Sequence, residues 1–192
     1  YKMIKTIIKK RDELDDKVLI QFCVIMSRWH HMITCSCRGI RKATQTLLTK
    51  PQSAENLAAI LVTWGKTDNR FRGKELLNNL CDCVSVLPVS HLNERSVGLI
   101  AWSFGKLGIN SSHCWRPLIL SCEQNCQNWS PLTLANFIYA MGHCGIVANV
   151  KKYQINIENS DNSDHDNINL MQNLTNTIES LNLAVKENAK GF

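Results

Sequence analysis

The chain has 192 residues, of which 44% are hydrophobic, and a formal net charge of +6 at pH 7. This length suits one domain or a short repeat array, and no apolar run approaches the ~18 residues that a membrane span needs. The nine cysteines are an odd number, and four of them lie in apolar helical patterns, namely Cys23, Cys81, Cys122 and Cys126. This disfavours a secreted disulfide scaffold and favours thiols that pack as small hydrophobic groups in a reducing compartment.

The positive charge is concentrated in the N-terminal quarter. Residues 1–50 contain 11 Lys and Arg against 4 Asp and Glu, whereas residues 51–150 contain 7 against 6. Such a basic region is compatible with a polyanionic partner but does not require one. The first residues, 1–14, carry Ile4, Ile7 and Ile8 in helical spacing and are predicted to be the end of a preceding helix.

Four copies of one helix, called the A helices below, are predicted in residues 15–155. Each copy begins with a residue that is favourable as an N-cap because its short side chain can accept hydrogen bonds from the first turn. These caps are Asp15, Ser53, Asn93 and Ser130. Eleven residues after each cap comes a large apolar residue, and these are spaced by 38, 40 and 37 positions at Met26, Trp64, Phe104 and Met141. A period of this size is typical of stacked helical hairpins.

The apolar residues of each A helix form one stripe at i, i+3, i+4 and i+7. Between the caps and the large apolar residues, the stripe consists of Leu19, Phe22 and Cys23, then Leu57, Ile60 and Leu61, then Val97, Ile100 and Ala101, then Leu134, Phe137 and Ile138. Second helices, the B helices, are predicted at Arg38–Leu48, Gly73–Leu87 and Trp115–Gln127. The fold predicted from this pattern is all-α, an α-solenoid of about four helical hairpin repeats of ~37–40 residues.

The C-terminal part breaks the pattern. Residues 156–167 are rich in Asn, Asp and Ser, and we expect a flexible insertion there. Residues 168–192 contain a clean helical stripe that predicts a C-terminal capping helix.

A small residue follows the large apolar one near the end of each A helix, and a cation comes next. Gly65, Gly105 and Gly142 are expected to let the neighbouring helix approach closely, and Gly108 and Gly145 to end their helices in the left-handed conformation. The cations, called the basic row, are Arg28, Lys66, Lys106 and His143. They either complement the helix dipoles or present one positive charge per repeat to a phosphate backbone.

The segments "LNERSVGLIAWSFGKLGI" and "WSPLTLANFIYAMGHCGI" resemble the "L-ANLAWAFAKLG" helix of the octotricopeptide and heptatricopeptide repeat proteins. The same motif is found in FAST-kinase-like and RAP-domain organelle proteins, and the likeness covers roughly residues 15–147. The resemblance implies an α-solenoid that binds organellar RNA in processing, stability or ribosome assembly. In protists some such proteins are built into the mitochondrial ribosome.

Patterns for metal binding and catalysis are weak. Two CxC pairs occur, but there is no CxxC and no second pair at finger-like spacing, so no metal or other cofactor is predicted. The sequence lacks the phosphate-loop, GxSxG and HExxH motifs, and the chain is predicted not to be an enzyme. Trp64 is expected in the core, whereas Trp102 and Tyr139 could either pack between repeats or be exposed.

The sequence therefore favours a non-catalytic RNA-binding component or assembly factor of a mitochondrial ribosome. Its expected partners are ribosomal RNA and neighbouring proteins, without a membrane. The alternative is an α-solenoid scaffold that binds other proteins in a large complex. The predicted RNA-binding residues are the basic row together with Arg38, Arg41 and Lys42 of the first B helix and Arg70 and Arg72.

Overall fold

The computed structural model describes residues 2–28, 34–67, 73–146 and 175–185, and within these ranges the chain is helical and contains no strand. The all-α prediction is confirmed. The helices are α1 (Lys2–Lys9), α2 (Asp16–Arg28), α3 (Thr34–Leu47), α4 (Ala54–Lys66), α5 (Lys74–Ser85), α6 (Glu94–Leu107), α7 (Ser112–Asn125), α8 (Pro131–His143) and α9 (175–185). Short 3-10 turns lie at Arg11–Glu13, Val89–His91 and Cys126–Asn128.

The four predicted A helices are α2, α4, α6 and α8, and each begins directly after its predicted cap. The side chains of Ser53, Asn93 and Ser130 accept hydrogen bonds from backbone N–H groups three residues further on. The carboxylate of Asp15 accepts from the N–H of Lys17 at 2.7 Å. These bonds satisfy donors that the first helical turn leaves unpaired, so the caps fix where the A helices start.

The predicted apolar stripes form the core, with one exception. Fifteen of the sixteen stripe residues, including the four large ones, are no more than 6% exposed. Ile138 of α8 is 43% exposed, so its predicted burial is wrong. The residues at its register position, Cys23, Leu61 and Ala101, are buried. Each of those three lies on a helix with a following A helix packed against it, and within the described residues α8 has no such neighbour.

The A helices pack side by side in chain order, α2 on α4, α4 on α6 and α6 on α8. The other layer is formed by the B helices: α1 packs on α3, and α5 packs on α7. Each A helix also contacts the B helix that follows it, as in the pairs α2–α3, α4–α5 and α6–α7. Helix α9 contacts α7, where Thr177 Oγ1 donates a hydrogen bond to the carbonyl oxygen of Ile119 at 3.4 Å.

Two tryptophans join the layers. Trp64 of α4 is fully buried, as predicted, and its Nε1 donates to Thr44 Oγ1 of α3 at 3.0 Å. Trp115 of α7 donates to the carbonyl of Ile109 at 2.8 Å. The Trp115 ring also lies edge-on to Phe104 and Phe137, with centroids 5.5 and 5.9 Å apart. Because buried N–H groups are costly when unpaired, these two bonds help to fix the hairpin geometry.

The ends of the B helices differ from the prediction by a few residues. Helix α3 begins at Thr34 rather than Arg38, and α7 begins at Ser112 rather than Trp115, which moves Pro117 from the first turn of the helix into its interior. A proline removes one helical hydrogen bond, and the packing of the apolar face of α7 outweighs that cost. Gly108 and Gly145 have φ angles of 67° and 68°, which confirms the predicted left-handed helix ends. The predicted insertion, residues 156–167, lies outside the described residues.

Candidate nucleic-acid interface

The A helices run parallel, so their two ends differ in chemistry. At the start of the helices, Asp16 lies near Gln52, and Glu55 accepts from Asn93 Nδ2 at 2.6 Å. Glu94 accepts from the backbone N–H of Ser130 at 2.8 Å. First turns thus meet first turns at three successive junctions. We call this the cap end, and the opposite end, which carries the basic row, the basic end.

All four residues of the basic row are exposed at the basic end. Arg28, Lys66 and Lys106 lie in the last turns of α2, α4 and α6, and His143 is the last residue of α8. Since the four helices are neighbours in order, the row forms one line of basic side chains across the A layer, with three cations and His143. Their positions complement the negative ends of the helix dipoles and also leave the charges open to a polyanion.

Close helix contacts occur next to these cations. A Cβ atom on Gly65 would lie 3.1 Å from the Trp102 ring and 3.6 Å from Lys106 Cβ. A Cβ atom on Gly105 would lie 3.1 Å from Ala140 Cα. The prediction that these two glycines allow close helix packing is confirmed. At Gly142 nothing lies within 4 Å of such an atom, so close packing is not found there.

Aromatic rings lie among the cations of the row. The Lys106 Nζ lies 5.8 Å from the centroid of the Trp102 ring and 5.5 Å from that of Tyr139. Tyr139 in turn stacks on His143, with centroids 5.5 Å apart and an angle of 17° between the planes. Tyr139 is 43% exposed. The two alternatives for these aromatics were packing between repeats and exposure. Each ring packs against a glycine of the preceding A helix, Trp102 on Gly65 and Tyr139 on Gly105, and Tyr139 is also partly exposed to solvent.

The proximity of these four side chains was not predicted from the sequence. The signal was present, since Trp102 and Lys106 are four residues apart, as are Tyr139 and His143, and such pairs lie on one helix face. A cation over an aromatic ring is a recognised attraction, and partly exposed rings beside cations can stack nucleic-acid bases. The group Trp102, Lys106, Tyr139 and His143 is called the aromatic–cation cluster below.

The cations of α3 divide into two kinds. Arg38 and Lys42 are exposed, and Arg38 lies at the basic end because α3 runs back along α2. Arg41 is half-buried, and a Cβ atom on Gly73 would lie 2.8 Å from its guanidinium nitrogen Nη2. Arg41 therefore packs against the chain at the start of α5. The predicted residues Arg70 and Arg72 lie outside the described residues.

The cysteines serve the core. Seven of the eight described cysteines are buried, Cys83 is half-buried, and none of these eight forms a disulfide. The predicted burial of Cys23, Cys81, Cys122 and Cys126 is confirmed. Burial raises the pKa of the Cys23 thiol to about 12 and that of Cys144 to about 11. Thiols with such pKa values are poor nucleophiles at neutral pH.

The described part of the chain contains neither a cluster of metal ligands nor a membrane-spanning helix. It contains no group of three or more His, Cys, Asp or Glu side chains arranged to hold a metal ion. None of its helices combines the length and apolarity that crossing a membrane requires. Comparison with known proteins finds no matching family model, no matching curated protein and no matching solved structure.

Proposed function

We propose that the chain is a non-catalytic RNA-binding protein built as an α-solenoid of about four helical hairpins. The carrying observation is the basic row, which places one exposed Arg, Lys or His at the end of each of four consecutive A helices. Arg38 extends the same end into the B layer, and the exposed Lys42 follows one turn further along α3. Cations in a line can neutralise successive phosphates and release their counterions, which gives sequence-independent affinity.

The aromatic–cation cluster supports the same proposal. Tyr139 and His143 form a stacked pair at the surface, and Lys106 lies between Tyr139 and Trp102. Stacking of a base on such a ring contributes about 1–3 kcal/mol, and every base has a suitable face. Phosphate contacts from the basic row and base contacts from the cluster would therefore act on one RNA strand.

The proposed cellular role is that of a component or assembly factor of a mitochondrial ribosome. This role rests on a resemblance alone. The A helices resemble octotricopeptide and heptatricopeptide repeats, and proteins with such repeats bind organellar RNA. The competing proposal is a protein-binding scaffold. In its favour, the chain from residue 51 to 150 is nearly neutral, and apolar side chains such as Leu132 and Ile138 are exposed on α8.

The direct test is a salt titration of binding to a fluorescein-labelled oligouridylate. We expect the triple variant Arg28→Gln, Lys66→Gln, Lys106→Gln to bind more weakly, and its plot of log affinity against log salt to flatten by about 0.7 per lost phosphate contact. The matched control is Lys17→Gln, Arg95→Gln, Arg116→Gln, which removes the same charge from exposed positions elsewhere. The control variant should retain most of the slope.

Equal loss in both triple variants would show a general charge effect and would contradict a defined basic interface. Unchanged RNA binding by the first variant would favour the proposal of a protein-binding scaffold. A double variant, Arg38→Gln with Lys42→Gln, tests the extension into the B layer. Arg41 is left out because it packs against Gly73, so replacing it would change stability as well as charge.

The mitochondrial role needs a test of its own. An epitope-tagged chain expressed in its native cell should sediment with ribosomal RNA in mitochondrial extracts. Its distribution should move to lighter fractions when the first triple variant replaces the wild type. Sedimentation away from ribosomal RNA, with RNA binding intact in vitro, would support organellar RNA binding outside the ribosome.

A further inference from the structure

Two pairs of neighbouring thiols occur among the described cysteines. Cys81 of α5 and Cys114 of α7 are hydrogen-bond partners, and so are Cys122 and Cys126 where α7 ends. Neither pair is joined by a disulfide. The proposed RNA binding uses none of these four side chains, so their chemistry is a separate question.

The first pair lies where two neighbouring B helices, α5 and α7, pack on each other. Cys114 is in the first turn of α7, and its Sγ donates to the carbonyl oxygen of Ser111 at 3.1 Å. The residues next to the two cysteines in sequence also meet, because Asp82 Oδ1 lies 3.3 Å from His113 Nε2. Two adjacent side-chain contacts therefore fix the level at which α5 faces α7.

The second pair is poorly placed for a disulfide. Cys122 and Cys126 are four residues apart along one helix, a spacing that separates Cβ atoms by about 5–6 Å. A disulfide needs Cβ atoms about 3.5–4.5 Å apart. Cysteines on two different helices, such as Cys81 and Cys114, can approach each other by rotation about their Cα–Cβ bonds and a small shift of one helix. The first pair can therefore close without unwinding a helix.

The two thiols of the first pair differ in access and in acidity. Cys81 is 6% exposed and Cys114 is fully buried, so a small oxidant reaches Cys81 first. The hydrogen bond from Cys114 lowers the pKa of Cys81 from its ordinary value of 9.0, although burial and the Asp82 carboxylate oppose this shift. The same hydrogen bond, together with burial, raises the pKa of Cys114. A lowered pKa increases the fraction of thiolate, which is the form that peroxides oxidise.

We propose that Cys81 and Cys114 form a modification site at which hydrogen peroxide converts the two thiols into a disulfide between α5 and α7. The Cys81 thiolate attacks one oxygen of the peroxide, the O–O bond breaks, and hydroxide leaves. Cys81 becomes a sulfenic acid, and the peroxide takes up two electrons. The Cys114 thiol then attacks the Cys81 sulfur, so that the S–S bond forms, the S–O bond breaks and the leaving hydroxide takes the Cys114 proton. Two thiols and one peroxide thus give one disulfide and two water molecules.

The disulfide would close a loop that contains the whole of α6, because α5 and α7 lie on either side of it in the chain. Closing such a loop restricts the unfolded chain, so we expect the oxidised protein to melt at least about 5 °C higher than the reduced protein. Peroxide would therefore strengthen the join between two successive B helices, and a thiol reductant would reverse the effect.

The experiment treats the intact protein with hydrogen peroxide and measures its mass and melting curve before and after. We expect the loss of two hydrogens per chain, a disulfide placed by tandem mass spectrometry between Cys81 and Cys114, and full reversal by dithiothreitol. The matched control Cys83→Ala removes a half-buried thiol of the same helix and should leave this disulfide unchanged. Cys144→Ala removes a thiol close enough to Cys114 to affect its pKa, and it should also have no effect.

Two variants test the order of the steps. In Cys114→Ala the sulfenic acid of Cys81 has no thiol to attack it, so dimedone, which traps sulfenic acids, should label Cys81. Cys81→Ala should give neither the disulfide nor a label on Cys114. Circular dichroism checks that both variants fold. Cys114→Ser, which keeps a hydrogen-bond donor for the Ser111 carbonyl, replaces the alanine variant if that variant unfolds.

Several results would overturn the proposal. These are no disulfide under peroxide that oxidises free glutathione, a disulfide between any other pair of cysteines in place of this one, or formation of the Cys81–Cys114 disulfide only in urea. The last result would show that the folded protein holds the two thiols apart. A disulfide that leaves the melting temperature unchanged would contradict the expected join between α5 and α7. None of these measurements involves RNA, so their failure is distinguishable from failure of the proposed RNA binding.

Discussion

The two ends of the A helices are built from the same repeat but use charge differently. At the cap end the carboxylates accept hydrogen bonds from other groups of the chain. Glu94 accepts from the N–H and hydroxyl of Ser130 at 2.8 and 2.5 Å and from the hydroxyl of Thr133 at 2.9 Å. At the basic end, Arg28, Lys66, Lys106 and His143 are exposed. Periodic charge therefore joins neighbouring helices at one end, whereas at the other it is exposed to solvent.

The difference shows why charge periodicity alone does not identify a binding site. Both ends follow the helix dipole, with acids at the starts of α2, α4 and α6 and basic residues at the ends of all four A helices. The two ends differ in what their charged side chains contact. At the cap end, a carboxylate that accepts three hydrogen bonds between neighbouring helices stabilises the packing of those helices. The stability that each end loses on substitution therefore distinguishes a structural charge from one that is not needed for the fold.

The largest effect is expected from the glycine at the basic end of α6. Gly105→Leu would place a bulky side chain against the backbone of Ala140, where a Cβ alone would be 3.1 Å from its Cα. We expect a loss of about 2–3 kcal/mol in the free energy of unfolding, measured by urea titration. The matched variant Gly142→Leu meets nothing within 4 Å and should change stability little. Equal losses in both would show that the glycines act only through helix propensity.

A smaller loss is expected from the contact between the layers. In Thr44→Val the buried Nε1 of Trp64 loses its acceptor, which lies at 3.0 Å in the wild type. An unsatisfied buried donor costs about 1–2 kcal/mol. The double variant with Trp64→Phe removes both polar partners, and the cost of Thr44→Val should be smaller in that background. An equal cost in both backgrounds would contradict a role for the hydrogen bond.

Glu94 tests the cap end, and its effect depends on pH. Hydrogen bonds from Ser130 lower the pKa of Glu94 from its ordinary value of 4.5. A carboxyl group with a lowered folded-state pKa stabilises the fold above the ordinary value and loses that contribution as pH falls through the folded pKa. We therefore expect Glu94→Gln to cost about 1 kcal/mol at neutral pH, limited by solvent at this half-exposed group.

The pH dependence provides the control for this prediction. The stability difference between wild type and Glu94→Gln should shrink as the pH is lowered below 4.5. Urea titrations of both proteins across that range measure it. A difference that stays constant with pH would mean that the shape of the side chain, rather than its charge, matters at the junction.

The sequence predicts the A helices well because their information is local. A cap such as Ser53 and a stripe such as Leu57, Ile60, Leu61 and Trp64 specify a start and a buried face without knowledge of neighbours. What the sequence missed depends on contacts between repeats. The bonds from Glu94 to Ser130 join residues 36 positions apart, and the burial of Ile138 depends on a neighbouring helix that α8 lacks in the described part of the chain.

The residues of the candidate site were predicted from their charge, and the packing of the helices shows which of them are exposed. Arg38, Arg41 and Lys42 are equivalent in a count of charges, but Arg41 alone is half-buried and packs against Gly73. The aromatic–cation cluster around Lys106 was not predicted, because it depends on the contact between two helices. Two of its members belong to α6 and two to α8, so only the packing of these helices brings Tyr139 to Lys106.

The smallest effect on stability is expected from the basic row itself, where function and structure separate most clearly. The triple variant Arg28→Gln, Lys66→Gln, Lys106→Gln removes exposed charges, and exposed substitutions usually change stability by less than about 0.5 kcal/mol each. Lys106 also loses its position between the rings of Trp102 and Tyr139, an attraction of about 0.5 kcal/mol at an exposed site. If the charges mainly complemented the helix dipoles, they would together contribute about 1–3 kcal/mol. Urea titration of the triple variant therefore distinguishes the two uses: a loss near 0.5 kcal/mol with weakened RNA binding supports the interface, whereas a larger loss with unchanged RNA binding would assign the row to the stability of the fold.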